Sequence, residues 1–131
     1  MAISLHEFLN PTVGGLQVFF DGGGSTLIAG SICRLGPMPY AGIFTSVTLL
    51  GDLTGSLMLD VTKITYSSYG TVSASSICGT NKPTITSSIK SRDTTLSTWT
   101  QDFVVDDVFI ISVVSCSNIT RALMTLKATR K

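Results

Sequence analysis

Residues 56–62 read Ser-Leu-Met-Leu-Asp-Val-Thr, and the alternation in this run constrains the chain more than any other feature. Leu57, Leu59 and Val61 recur at every second position, which gathers them on one face of a β-strand and would scatter them around a helix. Met58 is the one apolar residue on the opposite side. The same period returns at Ile43, Thr45, Val47 and Leu49, at Phe109, Ile111 and Val113, and at Ala122, Met124, Leu126 and Ala128. Threonine and serine are the two commonest residues, charged residues make up only 13% of the chain, and Glu7 is the single glutamate. The side chains that coat helices are therefore scarce, and the expectation is an all-β fold.

Turn signals divide the chain. Residues 1–15 read as an N-terminal arm, with Ile3, Leu5, Phe8 and Leu9 ahead of Asn10-Pro11, and residues 16–131 as a single domain. The apolar runs 16–20 and 27–35 flank Gly22-Gly23-Gly24 and suggest a hairpin. A phosphate loop would need a helix and a lysine after the glycines, and neither follows. Pro37 and Pro39 make residues 36–40 a rigid extended connection. Gly51, Asp52 and Gly55 read as turn residues that end the strand over 43–50 and begin the next. Residues 66–80 lack periodicity and read as a long surface crossing anchored by Tyr66, Tyr69, Val72 and Ile77. Asp93-Thr94-Thr95 suits a turn closed by side-chain to backbone bonds, Trp99 a core plug, and Asp102, Asp106 and Asp107 solvated turns. About eight short strands and two long connections predict an antiparallel β-sandwich, with a jelly roll as its topology.

Several functions are disfavoured on chemistry. A net charge of +1, with lysines and arginines scattered, gives no footprint for nucleic acid or an anionic membrane. Cys33, Cys78 and Cys116 lack metal-ligand or redox spacing and read as buried free thiols. The only histidine, His6, sits in the arm, so a catalytic triad has no base in the body of the domain. No uncharged apolar run is long enough to span a bilayer, and the N-terminus does not read as a secretory signal. The expectation is a protein with no catalytic residues, no metal and no cofactor. Its mean hydropathy of +0.42 points instead to apolar surface buried against another subunit.

Residues 51–61, Lys63, Thr65-Tyr66, Lys82-Pro83-Thr84, Ser91, Asp93-Thr94-Thr95-Leu96, Trp99, Asp107-Val108 and Ile119-Thr120-Arg121 through Leu126-Lys127 follow one another in order. This series resembles a jelly-roll domain of tailed-bacteriophage virion proteins, found in capsid decoration proteins, head fibres and the tips of tail fibres or spikes. It spans roughly residues 41–127; Thr62 stands where an aromatic residue is common, and residues 70–79 depart from the usual proline-bearing connection. The resemblance implies a homotrimer on the virion. Because the domain fills nearly the whole chain, it implies a capsid decoration or cement protein on the outer surface of the head, made in the host bacterial cytoplasm, with the major capsid protein as partner. Leu5, Phe8 and Leu9 from the arm and Val18 and Phe20 from the first hairpin are the candidate capsid or subunit contacts. The alternative is an adhesin for a host-surface glycan at a fibre tip, with Tyr66, Tyr69 and Trp99 as stacking candidates.

Overall fold

The computed structural model describes residues 13–131, and its architecture is an antiparallel β-sandwich of eight strands. The strands are β1 (Val13–Asp21), β2 (Ile32–Leu35), β3 (Gly42–Thr65), β4 (Ser75–Ser76), β5 (Thr84–Asp93), β6 (Asp102–Phe103), β7 (Asp107–Ser117) and β8 (Arg121–Arg130). One 24-residue strand, β3, organises them. Its first half pairs with β8 along one edge and with β6 and the end of β5 along the other; its second half pairs with β7, the start of β5, and β4. β3 thus belongs to both layers and bends between them. Strands β1 and β2 extend the two layers outward, β1 beside β8 and β2 beside β7.

The bend replaces the turn expected at Gly51, Asp52 and Gly55. The residues that suggested a chain reversal instead let an unbroken strand change layers, as strands at sandwich corners do through bulges. Pairing of β3 with β5 shifts register between Leu50 and Gly55 and again before Leu57. The partners bend at the same level: Ser87 of β5 has φ 45°, and Asn118, between β7 and β8, has φ 68°, a left-handed conformation that asparagine tolerates well. Gly55 is required here for space, because a Cβ at this position would collide with the Ser117 carbonyl oxygen.

The alternation read from the sequence governs burial. Leu57, Leu59 and Val61 face inward, as do Phe109, Ile111, Val113, Ala122, Met124, Leu126 and Ala128, and the inner faces of both layers form one core. In β3, Val47 and Leu49 are buried as expected, but Phe44 replaces Ile43 and Thr45 on the inner side. A bulge between Phe44 and Ser46 flips the alternation there. Trp99 plugs the core, with its indole Nε1–H donating to the Asn81 carbonyl at 2.7 Å. The expected Asp93 turn also forms, the carboxylate accepting from the Thr95 and Leu96 amides and from the Asn81 side chain.

Three other expectations change. The runs 16–20 and 27–35 do not form a hairpin: β1 pairs with β8 and β2 with β7, so these segments sit in different layers. Gly14 and Gly15, assigned to the arm, are paired residues of β1. Asp107 is not solvated; it is 2% exposed, accepts from the Val104 amide at 2.9 Å and lies 3.6 Å from the Lys63 ammonium.

Candidate functional site

The outer face of the β7 layer carries a groove. Strand order brings Arg34 of β2 beside Ile110 of β7, and Ile110 beside Thr62 of β3, so these three side chains form one cross-strand row. Ile32 and Ile64 flank the row, and the segment after β3 folds over it. That segment starts with a single 3-10 turn, Tyr66–Ser68, capped by Thr65, whose hydroxyl accepts from the Ser68 amide. The Thr71 amide and hydroxyl both donate to the Ser68 carbonyl, and Gly70 takes φ 87°. A bridge joins Tyr69 to Val72, and β4 then returns the chain to Thr62 and Lys63. The loop is fixed by its own backbone bonds.

Two of the cavities beside this loop border Arg34. The larger, about 430 Å³, is lined by Arg34, Thr62, Ile110, Tyr69, Val72 and Ser73 among others. The smaller, about 220 Å³, is lined by Arg34, Leu35, Pro37, Tyr66, Tyr69 and Val108. Arg34 and Tyr69 border both. Tyr66 is 65% exposed and Tyr69 43%, so the loop presents two aromatic faces to solvent; of its expected anchors only Ile77 is buried. Nor is the loop a crossing, since it leaves β3 and returns along the same edge.

Tyr66 and Tyr69 therefore come together, while Trp99 lies in the core and cannot stack on a ligand. The candidate contacts divide as well. Leu5, Phe8 and Leu9 lie outside the described residues, and Val18 and Phe20 are buried in their own domain, at 2% and 6% exposure. Their strand neighbour Phe19 faces out and is 56% exposed. It begins an apolar row across the outer face of the β8 layer, Phe19 to Leu123 to Leu50, ending at Lys90. Polar side chains border this row, with Gln17, Thr125, Thr48 and Arg92 on one side and Asp21, Arg121 and Asp52 on the other. Neither Arg34 nor the Phe19 row stood out in the sequence; both emerge only when strand register is known.

The cysteines are free, and only Cys78 is fully buried; burial pushes its thiol up to about 11, which leaves it protonated and inert. Among the described residues no cluster of His, Cys, Asp or Glu could hold a metal ion, and no helix is long and apolar enough to cross a membrane.

No protein-family model matches the chain, and neither does any curated protein. Among solved structures the chain is similar to a chain in the structure of the infectious bursal disease virus Gx strain, with a TM-score of 0.32 and 15% sequence identity. The likeness covers 92% of this chain and 36% of that one, so the protein spans little more than a third of its neighbour's length.

Proposed function

We propose that the protein is a non-enzymatic structural protein of a bacteriophage virion: a decoration protein that trimerises on the outer surface of the head and braces contacts between major capsid subunits. The observation that carries this reading is the solvent-facing row Phe19, Leu123 and Leu50, bordered on both sides by polar side chains on the outer face of the β8 layer. Apolar patches bordered in this way suit burial against another protein. The motifs that resemble the phage domain support it too, since they fall on the bend and second half of β3, both ends of β5, the start of β7 and most of β8, segments that build the sandwich. Assembly would occur in the host bacterial cytoplasm.

Quantitative protein stoichiometry of purified virions tests the assignment. Hundreds of copies per particle are expected, and Phe19→Ser should weaken binding to undecorated capsids at least tenfold. Absence from the particle, or full-strength binding by the variant, would overturn it.

A second reading, an adhesin at a fibre tip, is favoured by the two exposed tyrosines of the groove. It requires only a few to a few tens of copies per virion.

A further inference from the structure

The groove on the β7 layer combines features that together select a ligand class. Its floor holds a cation, Arg34, and among the described residues no carboxylate pairs with that side chain or lines either cavity it borders. The carboxylate on the adjacent cross-strand row, Asp60, is occupied by the Ser76 hydroxyl, which donates to it at 2.6 Å. Of the other acidic groups near the loop, Asp102 and Asp107 line a neighbouring cavity with Lys63, one that shares Ile64, Val72 and Ser73 with the larger groove cavity. Asp106, whose carbonyl accepts from the Tyr66 amide, lines neither cavity that Arg34 borders. Arg34 is thus an exposed guanidinium with open donors.

Tyr66 and Tyr69 stand next to it, held by a loop that is already ordered by its own hydrogen bonds. Exposed aromatic rings on a preformed loop stack against the apolar faces of sugar rings at little conformational cost. The remaining lining mixes aliphatic groups with the hydroxyls of Thr62 and Ser73, although the Thr62 hydroxyl already donates to the Ile110 carbonyl. The larger cavity, at about 430 Å³, falls in the size range of small-ligand sites.

We infer that this groove binds a saccharide bearing a carboxylate, with Tyr66 and Tyr69 stacking on sugar rings and Arg34 taking the carboxylate in a bidentate pair. The planar guanidinium fork matches a carboxylate and gives a preference over neutral sugars. A single cation in a protein of net charge +1 suits one acidic sugar at a time rather than a phosphate backbone. The inference rests on the adhesive reading of the groove and adds the charge of its ligand; it does not depend on where in the virion the protein sits.

The test is a nuclear magnetic resonance titration of the isotope-labelled full chain with trigalacturonate and, separately, with maltotriose. Trigalacturonate should move the amide signals of residues 32–34 and 66–73 and bind at least tenfold more tightly than maltotriose. Arg34→Gln should remove that preference while leaving the melting temperature within about a degree, and Tyr69→Ala should weaken both sugars. Equal binding of the two sugars overturns the carboxylate selectivity and leaves the stacking groove standing. Binding of neither overturns both. Signal changes at these residues that follow protein concentration instead of sugar identify the groove as a contact between copies of the chain, and also overturn the inference.

Discussion

The two ends of the sandwich are closed by opposite means. At the bend, β3, β5 and the run from β7 into β8 each pass from one layer to the other, so the backbone itself joins the layers. Polar groups fix the angle. Asp52 accepts from the Thr120 and Arg121 amides and from the Thr120 hydroxyl, Asn118 donates to the Thr54 carbonyl, and the Ser87 amide donates to the Ser56 hydroxyl. Ile119 fills the inside of the bend. At the far end β3 contributes its two extremities to different layers, and side chains must seal the gap. Phe44 from one layer meets Phe109 from the other at 5.4 Å between ring centroids, and Phe103 lies 4.7 Å from Phe44 and 6.0 Å from Phe109. Tyr40 extends the cluster outward, with the Arg130 guanidinium 4.3 Å above its ring. Where the chain is continuous, oriented hydrogen bonds suffice to set geometry; where it is not, apolar volume does the closing.

Removing that volume should have the largest effect. Phe103 is 1% exposed and touches all three other aromatic rings, so Phe103→Ala leaves a cavity at the junction of the layers. A loss of about 3–5 kcal/mol is expected from urea unfolding. A loss below about 1 kcal/mol would show that the open end is not sealed by its aromatic side chains.

The two ends also differed in how far the sequence disclosed them. The inward faces of β7, β8 and most of β3 are legible because a period of two survives wherever a strand is buried on one side; the bulge after Phe44 interrupts it at the start of β3. The bend reads as a turn in the sequence because glycine and aspartate serve both purposes: Gly51 and Gly55 can end a strand or let one fold across its neighbours, and only the pairing partners decide. The groove was half legible. Tyr66 and Tyr69 stood out as aromatic residues in a polar segment, but Arg34 joins them through a register between β2 and β7 that spans about 75 residues of sequence and leaves no local mark. The side of β1 that faces out depends on register in the same way: pairing of β1 with β8 turns Val18 and Phe20 into the core and leaves Phe19 outside.

An intermediate effect is expected from crowding the bend. A methyl group at Gly55 meets the Ser117 carbonyl oxygen and comes within 3.0 Å of the Ile119 side chain, so Gly55→Ala must push β3 away from the β7–β8 connection. About 1–3 kcal/mol should be lost, seen as a lower urea midpoint at an unchanged slope. Gly23→Ala is a control in open space, although its φ of 66° adds strain of its own. If Gly55→Ala were as stable as the parent, the bend would be soft, and continuity of the chain would not be what fixes the angle between layers.

The smallest effect tests whether the charge at the bend matters beyond its shape. The Thr120 hydroxyl, followed by the Arg121 and Thr120 amides, holds the Asp52 carboxyl down at about 2 against an ordinary value of 3.8. Because the folded state lowers this pKa, the ionised carboxylate stabilises the fold at every pH above 3.8, and that contribution is lost as pH falls toward about 2. Asp93, held low by the Thr95 and Leu96 amides and the Asn81 amide group, acts in the same direction, so acid sensitivity alone does not identify Asp52. Asp52→Asn separates them. It keeps one acceptor oxygen but presents an amide to donors that need a second, so its melting temperature should fall below that of the parent at neutral pH, by less than the Gly55→Ala loss. As pH drops through the window from 3.8 to about 2 the two proteins should converge, with the variant losing less stability than the parent. A gap that stays constant across that window would mean that Asp52 serves the bend through hydrogen-bond geometry alone, and the polar end would then differ from the aromatic end in shape and not in charge.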